Sequence, residues 1–176
     1  MEIEEKINPV NMTIIKDEGT IKSLNLYQRL QAISKKLGIV TKSLQIKAGY
    51  GSYKAVSESD ILSAVKPIEQ AYGVYSYPAS RRVIESGILQ GQNPRLWERI
   101  ETVYRFVNID NPSEFIEVTS YGDGIDSGDK GPGKAMTYAD KYALMKAYKI
   151  VTGDDPDQWA SEPLGRQFGN SGYGNR

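Results

Sequence analysis

The segment Gly128–Ala135, GDKGPGKA, has nearly all the residue types of a nucleotide-binding loop. It matches G-x-x-x-x-G-K-[ST] at every position except the last, where Ala135 replaces the Ser or Thr that ligates magnesium. In such loops, backbone N–H groups surround the phosphates and the lysine reaches their outer oxygens. A loop of this kind also needs a buried strand leading into it and a helix leaving it.

Only one of these two flanking elements is expected here. AMTYADKYALMKAYKI predicts the helix, but the strand FIEVTSY is expected to end at Tyr121, with YGDGIDSGD between it and the loop. We therefore interpret the segment as a turn before a helix, with Pro132 and Gly133 as breakers. No nucleotide cofactor is expected.

Acidic residues form two groups that could hold metal ions, as a nuclease would require. Neither group has the spacing of a calcium loop, and GDDPD is also typical of a helix end followed by a turn. We therefore expect no metal site among Asp123, Asp126, Asp129, Asp154, Asp155 and Asp157.

The composition excludes several classes of enzyme. The 176 residues include no His and no Cys, which rules out Ser-His-Asp and Cys-His catalysis, disulfides and zinc–thiolate sites. No apolar run approaches the roughly 18 residues of a membrane span. The N-terminal segment MEIEEKINP is too acidic and polar for a secretion signal. We expect a cytoplasmic protein with no membrane partner.

Charge is segregated along the chain, although 22 basic residues balance 22 acidic ones. Residues 21–57 contain seven basic side chains and no acidic one, and residues 130–149 contain five lysines and one aspartate. Basic blocks of this kind can bind polyanions, and they can equally form a solvated surface. Charge alone leaves both interpretations open.

Tyrosine is abundant, with 12 residues, and many of the tyrosines adjoin a cation. Base stacking combined with phosphate neutralisation is how proteins hold single strands without reading their sequence. The alternative is that these tyrosines belong to the core and to the rim of a sheet. The adjacent pairs are Tyr53-Lys54, Tyr104-Arg105, Lys141-Tyr142 and Tyr148-Lys149.

The helix after the glycine-rich segment has two distinct faces. Spacings of four, three and four residues place Lys134, Tyr138, Lys141 and Met145 on one of them. The other is expected to pack on a sheet through Ala139, Tyr142, Ala143 and Ala147.

The elements that must position these residues indicate an α+β fold. Periodicity predicts a helix over 25–38, a hairpin over 43–56 and a helix from the capping box at 57–60 to Tyr72, with Pro67 as a kink or break. Three strands follow, at 74–86, 98–109 and 114–121, and then a helix from about Lys134 to Ile150. The adjacent Arg81 and Arg82 must lie on opposite faces of their strand.

The domain organisation follows from these elements. Residues 1–24 are expected to form an N-terminal arm and residues 25–153 a core domain. Residues 154–176, first acidic and then rich in Gly and Asn, are expected to form a flexible tail.

The segment GDKGPGKAMTYADKYALMKAYKIVTGDDPD resembles the signature of the ERF (essential recombination function) family of phage single-strand annealing proteins. The shared features are an acidic, glycine-rich loop, a Lys-Ala-(Met/Val)-(Thr/Ser)-Tyr-Ala-x-(Lys/Arg)-Tyr helix and a terminal Gly-Asp-Asp-Pro-Asp. NLYQRLQAISKKL and YKAVSESDILSAVKPIEQAYGV resemble the family's opening helix, Tyr-Lys-x-Val strand and second helix. The resemblance covers about 25–157.

The resemblance implies an antiparallel β-β-β-α core like that of ring-forming single-strand annealing proteins, with flanking helices. It implies ATP-independent binding of single-stranded DNA and annealing of complementary strands in phage homologous recombination, in the host cell cytoplasm. The resemblance also implies a binding protein that is not an enzyme. The alternative activity is passive binding and protection of single strands without annealing. Implied partners are single-stranded DNA and further copies of the chain in a ring or helical filament. A phage exonuclease or a host single-strand-binding protein is a candidate further partner.

Nine residues are predicted to contact DNA. The family motif implies a role for Lys54, Lys134, Tyr138 and Lys141. Charge alone adds Lys47, Arg81, Arg82, Arg105 and Lys130.

Overall fold

A computed structural model describes residues 18–48 and 51–152, with only the backbone described for Glu18, residues 46–48 and residues 51–54. The helices are α1 (Glu18–Lys22), α2 (Leu26–Lys36), α3 (Glu58–Tyr72) and α4 (Gly131–Ala147). The strands are β1 (Leu44–Ala48), β2 (Gly51–Ala55), β3 (Val74–Leu89), β4 (Arg95–Asn108) and β5 (Phe115–Asp126). Most of the predicted arm and all of the predicted tail lie outside the described residues.

Two antiparallel sheets organise the chain. β1 and β2 form a hairpin, and β3, β4 and β5 form a sheet in that order, followed by α4. The predicted α+β class with a β-β-β-α core is confirmed. In the larger sheet, register shifts between Pro78 and Ser80 and between Val83 and Glu85 mark irregularities in β3.

Helix α4 lies unusually close to β5. Its buried stripe of Gly131, Ala135, Ala139 and Ala143 recurs every fourth residue and therefore lines one side of the helix. Opposite this stripe, β5 presents Gly122 and Gly124. A Cβ atom on Gly122 would overlap the carbonyl oxygen of Ala135, and one on Gly124 would overlap that of Gly131. Helix and strand therefore meet backbone to backbone.

The glycine-rich segment corrects two predictions. β5 does not end at Tyr121 but continues to Asp126. Its glycines Gly122 and Gly124 belong to the strand, because the absence of side chains lets α4 pack directly against it. For the same reason α4 begins at Gly131, earlier than Lys134, with Pro132 in the first turn, where proline is tolerated.

The remaining helices complete the core beside this sheet. Asn25 caps α2, Ser57 and Asp60 form the predicted capping box of α3, and Gly73 ends α3 in a left-handed conformation at φ 62°. Pro67 neither breaks nor ends α3, which runs on to Tyr72. The helix is held through this point by its buried side, which includes Val65 and Ile68 on either side of the proline.

A buried arginine joins three of these elements. Arg29, on α2, donates from Nη1 to the carbonyl oxygens of Tyr72 (3.2 Å) and Gly73 (3.1 Å) at the end of α3. The same nitrogen lies 2.8 Å from Oδ2 of Asp110, in the turn between β4 and β5. Nε donates to the carbonyl oxygen of Leu24 (2.9 Å). The arginine thereby fixes α2 to the end of α3 and to that turn.

A buried glutamate lies between α3 and the end of α4. The hydroxyl of Tyr148 donates to Oε1 of Glu69 at 2.5 Å, and burial raises the pKa of Glu69 above its ordinary value of 4.5. Hydrogen bonds from Tyr148 and Ser76 oppose this rise. The folded state therefore holds the Glu69 proton more tightly than the unfolded state does.

We expect this difference to make stability depend on pH. The stabilising contribution is complete below pH 4.5 and is lost as the pH rises through the raised pKa of folded Glu69. Glu69→Gln keeps an acceptor for Tyr148 and removes the titration, so its stability relative to the parent should increase as the pH rises from 4 towards 8. Urea unfolding at several pH values measures this. A stability difference that does not change with pH would contradict it.

Candidate nucleic-acid interface

A partly exposed side of α4, next to the buried stripe, carries a pair of tyrosines. The rings of Tyr138 and Tyr142 stack with centroids 6.1 Å apart and planes inclined by 23°. Their side chains are 41% and 38% exposed. One turn of helix separates the two residues, which brings i and i+4 side chains together. The pair offers exposed aromatic surface of the kind on which nucleic-acid bases stack.

Lys141 lies against both rings. Its Nζ is 4.7 Å from the ring centroid of Tyr138 and 5.9 Å from that of Tyr142. It also donates to the carbonyl oxygen of Val56 at 3.0 Å. Partial burial lowers the pKa of Lys141, and the nearby Glu58 opposes that shift. The ammonium group thus connects the tyrosine pair to the residue that follows β2.

The β1–β2 hairpin therefore ends beside the tyrosine pair. Its register pairs Gln45 with Lys54 and Lys47 with Ser52. Lys47 and Lys54 consequently occupy positions on the same face of the hairpin. Their side chains lie outside the described part of the structure.

Lys134 and Lys130 lie at the start of α4. The ammonium of Lys134 contacts the carboxylate of Asp126 and donates to the carbonyl oxygen of Ile125 at 3.1 Å. This contact with Lys134 holds the pKa of Asp126 below its ordinary value. Lys130 immediately precedes the helix and is exposed. Both lysines belong to the same end of the helix, although Lys134 is held by the end of β5.

This geometry also bears on the nucleotide-loop question. Because β5 extends to Asp126, a strand does lead almost directly into the segment, contrary to the prediction. That strand is at the edge of an antiparallel sheet, and Asp126 accepts from the N–H of Gly128 at 2.8 Å. Ala135, at the position of the magnesium-ligating hydroxyl, is fully buried against β5. The lysine and the metal-ligand position are thus engaged in holding the helix to the sheet, and the amide of Gly128 is engaged by Asp126.

The three predicted arginines lie on both faces of the sheet. Arg81 points towards α4, where it donates to Thr102 at 3.0 Å and to Asp140 at 2.6 Å. Arg82 lies on the opposite face and pairs with Glu101 at 2.6 Å. The strand alternation that places these neighbours on opposite faces is as predicted.

Arg105 shares the face of Arg82. It pairs with Glu117 and stacks over the ring of Phe115, 4.2 Å from the ring centroid. All three arginines therefore have carboxylate partners within the fold.

The nine predicted residues do not form one surface. Lys130, Lys134, Tyr138 and Lys141 share α4 and its N-terminal approach, and the positions of Lys47 and Lys54 lie on the hairpin beside it. Arg81 is between α4 and the sheet, whereas Arg82 and Arg105 are behind the sheet. Whether any of them contacts DNA stays a prediction.

Tyr142 was expected to face the sheet, yet it lies outside beside Tyr138. Its spacing of four residues from Tyr138 is the signal that could have identified it. The sheet contact is made instead by the alanine stripe, which leaves no space for a ring.

Two further features of the described residues bear on other classes of site. Within residues 18–48 and 51–152, no group of three or more His, Cys, Asp or Glu side chains is arranged to hold a metal ion. None of the helices in these ranges has the length and apolar character needed to span a membrane.

The fold and the site together define a β-β-β-α protein whose helix presents stacked tyrosines and a lysine on its outer side. The model of the ERF superfamily matches residues 26–167, and the chain belongs to that superfamily. A search of the curated proteins finds no match to this chain.

Proposed function

We propose that this protein binds single-stranded DNA and anneals complementary strands without ATP, in phage homologous recombination. Membership of the ERF superfamily supports the class of activity. The stacked, exposed pair of Tyr138 and Tyr142 with Lys141 against it is the observation that supports the site.

The chemistry of this site suits a binder that does not read sequence. Every base has an aromatic face, so stacking on the tyrosines would hold any base and leave its pairing edge accessible. Cations of α4 and of the hairpin would neutralise the phosphates on either side. A second strand could then test its pairing against the first. No bond is made or broken in this scheme, so the proposal is of a binding protein and not of an enzyme.

An annealing assay tests the function directly. Two complementary oligonucleotides, one with a donor and one with an acceptor fluorophore, are mixed with the protein. We expect faster annealing than without protein, at the same rate with ATP, with EDTA or with neither. Acceleration by ATP would contradict the proposal. Binding of single strands without faster annealing would favour passive protection instead.

Replacement of the tyrosines should weaken DNA binding. Tyr138→Leu and Tyr142→Leu remove an aromatic face while keeping apolar volume, and each stacked base contributes about 1–3 kcal/mol. We expect each variant to bind an oligothymidine roughly 5- to 150-fold more weakly. The matched control is Tyr27→Leu, a tyrosine 69% exposed on α2, which should leave affinity unchanged. Equal affinities for all three variants would reject the tyrosine pair as a stacking site.

The lysines should make the affinity for single-stranded DNA depend on salt concentration. The logarithm of affinity should fall linearly with the logarithm of salt concentration, at about −0.7 per phosphate contact. If Lys134 leaves Asp126 to bind a phosphate, Lys134→Gln should remove roughly one phosphate contact and make the slope correspondingly shallower. Lys66→Gln, on the exposed side of α3, is the control and should leave the slope unchanged. A slope near zero in the parent would show that binding is not electrostatic.

The proposed setting is the host cell cytoplasm, and the proposed assembly is a homo-oligomer in the form of a ring or helical filament. A phage exonuclease or a host single-strand-binding protein is the proposed further partner. Light scattering with and without single-stranded DNA tests the assembly, and a monomer in both cases would contradict it.

A further inference from the structure

The sheet has a second face, opposite α4, which none of the described helices covers. It is defined here as the open face, and it consists of the side chains of β3–β5 that alternate with those packed towards α4. Large apolar side chains stand on it, with Tyr75 61%, Tyr121 55%, Phe115 45% and Ile125 41% exposed. Exposed apolar groups gathered on one face of a sheet mark an interaction surface.

The open face is electrically balanced. Three cross-strand ion pairs lie on it, Arg82–Glu101, Arg99–Asp123 and Arg105–Glu117. Strand alternation adds Arg95 and Glu85, so four basic residues match four acidic ones. A polyanion placed here would meet four carboxylates and no unbalanced cation, which is unfavourable for nucleic acid.

Its aromatic rings are also already engaged. The guanidinium of Arg99 lies 5.6 Å from the ring centroid of Trp97, and that of Arg105 lies 4.2 Å from the ring centroid of Phe115. Tyr75 and Tyr77 stack on each other at 5.6 Å. A protein surface of neutral net charge can pack over these rings without displacing the arginines.

The size of the face suits a protein partner. Twelve residues of β5 extend about 40 Å, and three strands span roughly 14 Å, which gives on the order of 600 Å² before the rim is counted. A stable interface buries about 800 Å² on each partner. By contrast, the outer edge of β3 is poorly suited to pairing, because Pro78 lacks an N–H and the two register shifts interrupt the strand.

We infer that the open face is the surface against which a second copy of this chain packs. Because the open face carries as many basic as acidic side chains, a second copy that packs on it with the same face meets no net charge repulsion. Because α4 and its tyrosines are on the other side of the sheet, self-association leaves the proposed DNA site accessible. The inference rests on the homo-oligomer part of the proposed function and is independent of DNA binding.

The test is a matched pair of substitutions on one strand. Tyr75→Asp places a charge on the open face, and Ile88→Asp places the same charge on the opposite face of β3, at nearly the same exposure of 62%. Light scattering after gel filtration, without DNA and at micromolar concentration, gives the mass of each variant. Circular dichroism confirms that each variant remains folded.

We expect the parent and Ile88→Asp to be oligomers of equal mass, and Tyr75→Asp to associate on the order of 100-fold more weakly. A second open-face variant, Ile125→Asp, should behave like Tyr75→Asp and keeps the test valid if one variant misfolds. A monomeric parent, or equal masses for all variants, would overturn the inference. Loss of oligothymidine binding with unchanged mass would identify the open face as a nucleic-acid surface instead and would also overturn it. Annealing by the parent is measured separately, so its failure cannot be confused with these results.

Discussion

Alanine in place of Gly122 or Gly124 should destabilise the protein more than any other change of comparable size. The added methyl group would overlap a backbone carbonyl oxygen of α4, and a backbone atom cannot move aside as the end of a side chain can. Relief requires α4 to lift away from β5, which loosens the packing of Ala135, Ala139 and Ala143. We expect each variant to lose about 3 kcal/mol or more of its free energy of unfolding.

Thermal melting at one fixed protein concentration measures this loss, since association would otherwise change the melting temperature. A loss of 3 kcal/mol corresponds to a fall of roughly 6–12 °C in a domain of this size. Gly133→Ala is the matched control, because a Cβ there meets nothing within 4 Å. In the first turn of a helix it should be neutral or stabilising by up to about 1 kcal/mol. Similar melting temperatures for all three variants would show that the close approach of helix and strand is not essential.

Arg29→Met should have the second large effect. The methionine approximately fills the buried volume but removes the donor to the carbonyl oxygens of Leu24 and Tyr72. Gly73 loses the same donor and keeps the N–H of Ile109. Asp110 is 38% exposed and stays solvated when its partner is removed, so the cost comes from the unpaired buried acceptors, at about 1–3 kcal/mol each. Arg29→Lys should recover only part of this, because one ammonium group cannot reach acceptors on three elements.

An exposed ion pair provides the control for Arg29. The Arg82 side chain is 71% exposed in its pair with Glu101, and Arg82→Met should change the free energy of unfolding by no more than about 1 kcal/mol. Chemical unfolding of the three variants compares them directly. A loss for Arg29→Met no larger than that for Arg82→Met would show that the buried arginine is dispensable.

Local sequence rules account for much of this fold. The cap at Asn25, the capping box at Ser57 and the stop at Gly73 depend on residues within one helical turn, and all three are where the sequence predicts them. The opposite orientations of Arg81 and Arg82 follow from strand alternation alone. These features required no knowledge of distant contacts.

The predictions fail where the structure of a residue depends on contacts with an element distant in the sequence. Gly122 and Gly124 resemble loop glycines in the sequence. They are required instead by the close approach of α4, which comes later in the chain. Tyr142 looks like a sheet-facing residue because only the three-dimensional packing shows that no ring fits there. Pro67 is a helix breaker by local rules, but α3 is also held by its buried side.

The cross-strand ion pairs were beyond prediction for a related reason. The partner of Arg82 depends on the register of β3 against β4, and that register shifts at two irregular positions. Arg99 and Arg105 instead pair with β5, so their partners depend on the register of β4 against β5. A shift of one residue moves every following side chain to the other face. Without the register, the sequence does not show which carboxylate each arginine pairs with.

The shared position of Lys141 has a thermodynamic consequence. One ammonium group contacts both the tyrosine pair and the carbonyl oxygen that follows β2. A ligand that draws this group towards itself must weaken the tether of the hairpin. By reciprocity, any event that fixes the hairpin must change the affinity for that ligand by the same factor. Amide hydrogen exchange in residues 44–55, measured with and without an oligonucleotide, would report the sign of this coupling.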